Sequence, residues 1–310
     1  MGKIAFVFPG QGAQKAGMAK DVYDAMPEAA VYFNKADEVL GFPISTLAFE
    51  GPEEELKQTV NTQPALLTAS ITLLEALKAR NIQADYVAGH SLGEYSALVA
   101  AGALSFEDAV AIVRARGQFM EQAVPAGQGA MAAVLGAERE ALTTLCAEIT
   151  AAGHAVELAN VNCPGQIVVS GSREGVDAVA SRVKEIGGKR AIALEVSGPF
   201  HSSMMKPAAE RLGERLQEVQ IQDAKVPVVA NVTASQVTAG DDIRTLLVEQ
   251  VYSPVLWEDS VRYLINEGVD TFIEIGPGNV LTGLIKKIDK NVRLINVNSL
   301  ESLEAIEVDA

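Results

Sequence analysis

Tyr86-Val87-Ala88-Gly89-His90-Ser91-Leu92-Gly93-Glu94-Tyr95 joins a short apolar run, a glycine-flanked turn and the start of a small-residue helical pattern. Tyr86–Gly89 predicts a strand and Leu92–Ala101 a helix. Gly89-His90-Ser91-Leu92-Gly93 between them is a G-x-S-x-G pentapeptide in the strand–turn–helix context of a nucleophile elbow. Side chains larger than glycine beside such a sharp turn would collide with neighbouring elements, and the turn itself pushes the serine hydroxyl into the open. The N–H of Leu92 then sits at a helix N-terminus, where it can stabilise an oxyanion. A glycine-rich turn without chemistry is the plain alternative. The strand and helix on either side favour a nucleophilic Ser91.

The same alternation extends outward from this turn. Ile4–Phe8 reads as a strand. Leu56–Ala79 reads as a helix with a kink or boundary at Gln63-Pro64. Ser105-Phe106-Glu107-Asp108 resembles a capping box that opens a helix to about Gln122. Pro125-Ala126-Gly127-Gln128-Gly129 then breaks the rhythm. Strands are expected at Ala130–Leu135, Val156–Val161, Ile167–Ser170 and Arg190–Val196, with helices at Glu138–Ala151 and Arg173–Ile186. That order, βαββαβ, is the order of a ferredoxin-like unit. Strands of the first kind resume at Val228–Asn231 and Thr271–Ile275, so the small unit is expected as an insertion. The fold class is therefore α/β, with residues 1–127 and 198–310 forming a large domain and 128–197 an inserted ferredoxin-like one.

Composition narrows the function classes. A chain of 310 residues has room for one or two domains of about 150 residues. A hydrophobic content of 48% excludes a disordered chain. The formal charge of −15 argues against a nucleic-acid partner, whose phosphates need a basic face, but not against a small anion held in a local pocket. Cys146 and Cys163 are too few for a disulfide framework, and without a C-x-x-C or a Cys/His cluster they do not match a zinc site. No run offers the ~20 apolar residues that cross a bilayer. The opening Lys3–Gly10 lacks the long apolar core of a signal peptide. A soluble, cytoplasmic protein without membrane contact is expected, and with no coiled coil or apolar surface stripe in the pattern, a monomer.

A nucleophilic serine needs a base, and the chain has three histidines. His90 adjoins the serine and is expected to project away from it in a structural role. His154 falls in a loop of the small unit. His201, in Ser197-Gly198-Pro199-Phe200-His201-Ser202, lies where the chain returns from the insertion, and is the candidate base; a buried, hydrogen-bonded histidine is the alternative. On the 106–122 helix, residues set at about 100° intervals place Ala109, Ile112, Val113, Phe119 and Met120 on one face, with Arg116 near its centre and Arg114 pointing away. A buried cation needs an anion. Arg116 is thus either paired with a structural Asp or Glu or placed to grip a substrate carboxylate with its planar fork. The loop Pro9-Gly10-Gln11-Gly12-Ala13-Gln14 follows the first strand. Lys15 stands where a dinucleotide fingerprint needs its third glycine, and Gly17-Met18-Ala19 departs from a P-loop. What remains is a tight turn or a loop whose Gln11 N–H supplies a second oxyanion donor.

Taken together, Pro9-Gly10-Gln11-Gly12, Gly89-His90-Ser91-Leu92-Gly93-Glu94-Tyr95, Arg116 and Phe200-His201-Ser202 resemble the malonyl-CoA:acyl carrier protein transacylase family of fatty acid and polyketide synthesis. Further runs extend the resemblance over essentially the whole chain: Thr62-Gln63-Pro64, Asn160–Gln166, Gln250 before Tyr252-Ser253-Pro254-Val255, and Glu274–Gly278. The resemblance implies an α/β-hydrolase-like large domain with a ferredoxin-like insertion. It implies Ser91 as acyl nucleophile, His201 as base, Gln11 and Leu92 as oxyanion donors and Arg116 as the malonyl carboxylate's partner. It also implies a backbone carbonyl near Gln250 that orients the histidine in place of a triad acid. The partners it implies are malonyl-CoA and the phosphopantetheine arm of acyl carrier protein, with no metal or redox cofactor. Phe200 would disfavour an α-methyl group. Lys286-Lys287 and Lys189-Arg190 are candidate docking cations for an acidic carrier.

Two other classes fit parts of the pattern. A serine ester or thioester hydrolase would share the elbow and base, with Asp108, Glu157 or Asp177 in the right interval for a triad acid. A non-catalytic carrier-docking module would not need Ser91, His201 and Arg116 together.

Overall fold

The computed structural model describes residues 2–306. Two sheets organise it. The larger contains β1 (Lys3–Phe8), β2 (Tyr86–Gly89), β7 (Val228–Ala230), β8 (Ser235–Val237), β9 (Val269–Ile275) and β10 (Arg293–Val297), in the order β10-β9-β1-β2-β7-β8. All its pairings are parallel except that of β8 with β7. The smaller sheet contains β3 (Gly129–Leu135), β4 (Val156–Cys163), β5 (Gln166–Ser172) and β6 (Arg190–Ala193), antiparallel throughout in the order β4-β5-β3-β6. With helices at Arg139–Ala151 and Arg173–Arg182, this is the ferredoxin-like arrangement expected from the βαββαβ order.

The large sheet is covered on both faces, as parallel strands require. Alternate residues of one strand therefore join different cores. Phe6 and Phe8 of β1 pack with the helices Thr59–Lys78, Leu92–Ala100 and Phe106–Gln122, while Ala5 and Val7 pack with Trp257–Asn266 and Val280–Ile288. The small sheet has its own core of Val134, Leu142, Leu145, Ile167 and Val179 among others.

Pro64 departs from expectation. It does not end a helix but lies inside Thr59–Lys78, which is buried along most of its length. Proline leaves the carbonyl four residues back without its helical donor. That carbonyl, on Val60, instead accepts a hydrogen bond from Arg114 Nη1 at 2.9 Å, so Arg114, read as pointing away, repairs the break. The helix also starts later than expected, a separate short turn occupying Glu53–Leu56. Ser105 caps its helix by accepting from the Asp108 N–H at 3.1 Å, but the reciprocal capping-box bond is replaced by the Ser105 hydroxyl donating to the Asp108 carboxylate. The expected strand at Arg190–Val196 ends at Ala193. The expected helix to Ile186 tightens into a 3-10 turn from Val183.

β1 and β2 are neighbours at the centre of the sheet, so the Pro9–Gly12 loop and the Ser91 turn emerge side by side from their carboxyl ends. That is where open α/β sheets place their ligands. Among the described residues no helix is long and apolar enough to cross a membrane, and no group of three or more His, Cys, Asp or Glu could hold a metal ion. Cys146 and Cys163 are buried free thiols.

Candidate active site

Ser91 sits between β2 and the Leu92–Ala100 helix at φ 51° and ψ −109°. A non-glycine residue held there costs on the order of 1–3 kcal/mol and persists only where its surroundings fix it. The flanking glycines are required by contact. A Cβ on Gly89 would lie 1.9 Å from the Gly93 carbonyl, and one on Gly93 would lie 2.1 Å from the Phe8 carbonyl oxygen. Gly93→Ala is therefore expected to destabilise by more than about 3 kcal/mol, as backbone overlap has nowhere to relax. A thermal melt within about 2 °C of the native chain would contradict this packing.

His201 returns from the small unit at φ 57°, its N–H bonded to the Val251 carbonyl at 3.2 Å. Its Nε2 lies 2.8 Å from Ser91 Oγ and its Nδ1 lies 2.8 Å from the Gln250 carbonyl oxygen. A carbonyl can only accept, so Nδ1 carries the proton and Nε2 offers its lone pair to the serine hydroxyl. Among the described residues no carboxylate occupies the triad position. Glu157 instead accepts from the Ser203 N–H at 3.0 Å and from its hydroxyl, and Asp108 stays at its helix cap.

Burial, and then the Arg116 charge, push the His201 imidazole down to about 3. The neutral form is thus held well below the ordinary histidine range near 6.5. With His201 as base, kcat/KM for acylation is expected to stay level as pH falls from 7 to about 4.5, then to drop as Nε2 takes a proton. Loss of half the activity near pH 6.5 in a pH–rate profile would contradict that environment.

Arg116 is 1% exposed. Its Nη1 donates to Gln63 Oε1 at 2.9 Å, and its Nη2 donates to Gln250 Oε1 at 2.9 Å and to Ser91 Oγ at 3.2 Å. Among the described residues its Nε finds no hydrogen-bond partner. Among the described residues no carboxylate lies within ion-pair distance. Of the two readings open from the sequence, a structural acidic partner is therefore not what the fold provides. Two neutral amide oxygens hold a desolvated cation beside the serine, and burial presses its pKa down. An anion is the ligand such a cation lacks.

Beyond Arg116, Gln250 Nε2 donates to the Ser91 carbonyl at 3.0 Å and to Glu94 Oε2 at 2.8 Å. Glu94 is buried, which raises its carboxyl to about 7 against the lowering by Gln250, Asn231 and Arg116. The N–H groups of Leu92 and Gln11 find no acceptor among the described residues. The Gln11 side chain is tied back to Thr59 Oγ1 at 3.1 Å. His90 belongs to the cleft wall, and its side chain is held by structural contacts, its Nε2 2.8 Å from Asn162 Oδ1 and its ring tilted against Trp257. His154 is exposed, away from the cleft.

The cleft at Ser91 measures about 110 Å³ and is walled by Gln11, Gln63, Arg116, Met120, Phe200 and His201, with Met131, Asn160 and Leu194 from the small unit. It opens into an outer space of about 330 Å³ between the small sheet and the start of the Val280–Ile288 helix, with Gln11, His90, Asn160 and Leu194 shared by both. Gln63 enters this site without a role expected of it, being marked in the sequence as the residue before Pro64 and as part of the Thr62-Gln63-Pro64 run of the family resemblance. A helical partner facing Arg116 was the signal it carried.

Fold and site together define an α/β protein with a serine–histidine pair at an elbow and a buried cation beside the serine. A family model described as the acyl transferase domain matches residues 5–302. A malonyl CoA-acyl carrier protein transacylase from Bacillus subtilis (strain 168) is 57% identical over 98% of this chain and 96% of its own. An acyl carrier protein S-malonyltransferase from Vibrio cholerae O1 superposes with a TM-score of 0.96 at 44% identity, covering 98% of this chain and 100% of that one. A malonyl-transacylase solved in complex with a type II PKS acyl carrier protein superposes at 0.94 with 42% identity, over 97% and 98% of the two chains. The chain belongs to the acyl transferase domain family and, within it, to the malonyl CoA-acyl carrier protein transacylases.

Proposed function

We propose that this chain moves the malonyl group from malonyl-CoA to the phosphopantetheine thiol of acyl carrier protein, supplying fatty acid chain elongation in the cytoplasm. Ser91 is the acyl carrier. As Oγ attacks the thioester carbonyl, its proton passes to His201 Nε2, and the oxyanion accepts from the Gln11 and Leu92 N–H groups. The C–S bond then breaks, and the coenzyme A thiolate takes the proton from Nε2. In the second half the carrier thiol gives its proton to Nε2 and its sulfur attacks the malonyl ester. The C–O bond breaks, and Ser91 Oγ recovers the proton. One covalent intermediate shared by two half-reactions gives ping-pong kinetics. Each proton has a protein atom to hold it, so the scheme calls on no metal or redox group.

The observation that carries this reading is Arg116, a buried cation with only neutral acceptors, 3.2 Å from the serine oxygen. A malonyl ester carries a carboxylate one methylene beyond its carbonyl, within reach of that guanidinium. A simple ester hydrolase has no use for such a charge. The division into 1–127 with 198–310 and an inserted 128–197 belongs to the same reading, because both parts contribute walls to the cleft. Intact-mass spectrometry after brief incubation with malonyl-CoA tests it. One malonyl adduct is expected, absent from Ser91→Ala and discharged by carrier protein bearing phosphopantetheine. An adduct lost to water equally fast without carrier would favour the hydrolase, and no adduct would favour the docking module.

The same proposal assigns carrier docking to the outer cleft. Lys286 and Lys287 lie in the last turn of the helix whose first turn lines that space, Lys287 reaching Gln166 Oε1 at 3.3 Å, and Arg190, preceded by Lys189, opens β6 on the opposite unit. Charge reversal at Lys286 and Lys287 is expected to raise the carrier KM about tenfold while leaving acylation by malonyl-CoA unchanged. An unmoved carrier KM would remove these residues from the docking surface.

A further inference from the structure

The ladder between β2 and β7 pairs Val87 with Val228 and Ala88 with Val229, then ends where β2 turns away into the elbow. Asn231 follows β7 at that point and is fully buried. Its side chain takes over where backbone pairing stops. Nδ2 donates to the Gly89 carbonyl at 2.7 Å and Oδ1 accepts from the Ser91 N–H at 2.8 Å, so one amide spans both sides of the turn. Asn231 is itself fixed. Its N–H donates to Glu94 Oε2 at 3.1 Å, and its carbonyl accepts from the Leu256 N–H at 2.9 Å. It does not line the cleft and has no hydrogen bond to Arg116 or His201.

We propose that Asn231 is the positioning residue of the elbow: its side-chain amide holds Ser91 in the left-handed region and thereby aims Oγ at His201. The inference rests on Ser91 being the acyl nucleophile. A strained, non-glycine residue stays in place only where its neighbours over-determine it. Gln250 restrains the Ser91 carbonyl, and Asn231 is the group that restrains the Ser91 N–H and the residue before the turn. Without it the peptide at Ser91 relaxes, and a displacement of about 1 Å at a reacting atom costs on the order of 100-fold in rate.

The test measures Ser91 acylation in single turnover and in steady state for the native chain and Asn231→Ala. The acylation rate is expected to fall about 100-fold, with KM for malonyl-CoA within about twofold, because Arg116 keeps Gln63 and Gln250, and Gln250 Nε2, which gives up Asn231 Oδ1 at 3.3 Å, keeps the Ser91 carbonyl and Glu94. A residue needed only for folding would lower Tm and leave kcat per folded molecule unchanged, which would overturn the proposal. So would a raised KM with kcat preserved.

Asn231→Asp covers the case in which the alanine variant does not fold. Its carboxylate still accepts from the Ser91 N–H, but it can donate to the Gly89 carbonyl only when protonated. Glu94 and, through Gln250, Arg116 are the charged groups facing that position, and both are common to variant and native chain. The ratio of variant to native acylation rate is therefore expected to rise as pH falls. A ratio that is flat with pH and close to one would overturn the clamp. Labelling of Ser91 by a fluorophosphonate repeats the comparison without malonyl-CoA. A native chain that labels but forms no malonyl ester would defeat the transacylase reading and leave the clamp to be judged on labelling alone.

Discussion

Replacing His201 by alanine is expected to lower kcat for malonyl transfer by about 10⁴-fold or more, with little change in KM for malonyl-CoA. The reason is in the hydrogen bonds. Among the described residues Ser91 Oγ has one proton acceptor within hydrogen-bond distance, the Nε2 lone pair 2.8 Å away, and the Gln250 carbonyl keeps that lone pair available by occupying Nδ1–H. Among the described residues no carboxylate stands ready to serve as a substitute base, Glu157 being committed to Ser203. Arg116, by contrast, keeps both amide partners in the variant, so the binding of the substrate carboxylate is preserved. Both half-reactions pass a proton through the same nitrogen and should slow together. A loss of less than tenfold in acylation, measured by rapid quench and intact mass, would mean that His201 is not the base.

Much of this site was legible because its parts are local. Ser91 and Leu92 lie within one strand–turn–helix, and a pentapeptide carries enough stereochemistry to announce them. Arg116 could be read from a 3.6-residue period, since its neighbours Ile112, Val113 and Met120 are buried as the pattern required. His201 emerged by elimination among three histidines. What could not be read is the set of neutral groups that make Arg116 and Ser91 what they are. Gln63 lies 53 residues from Arg116 and Asn231 lies 140 from Ser91, and neither amide differs in sequence from a surface one. The Gln250 carbonyl is a sharper case, because every residue has one; only a family resemblance pointed there. In the fold, the outlying strands β8 and β10 escaped notice, being short or only half-buried. Pro64 reads in sequence as a kink or boundary because the donor that serves the Val60 carbonyl, Arg114, sits on another helix.

Arg116→Ala is expected to lower kcat/KM for malonyl-CoA by about 10³-fold, the cost of burying a carboxylate without its partner being about 3–5 kcal/mol. Acetyl-CoA should behave in the opposite sense. In the native chain an acetyl group leaves the guanidinium with neutral partners alone, Gln63, Gln250 and the serine oxygen, so the cation opposes an apolar acyl chain in the space beside it. Removing the charge removes that opposition, and acylation by acetyl-CoA should hold or increase. The ratio of the two specificity constants is the decisive quantity, because it does not depend on how much of the variant folds. Arg116→Lys should recover only part of the loss. A compact ammonium on a flexible stem cannot engage both amide oxygens and a carboxylate with fixed geometry. A variant that keeps its native preference for malonyl over acetyl would show that the carboxylate is recognised elsewhere. A collapsed ratio with the acetyl rate intact would place selectivity in one guanidinium, 3.2 Å from the oxygen that receives the acyl group.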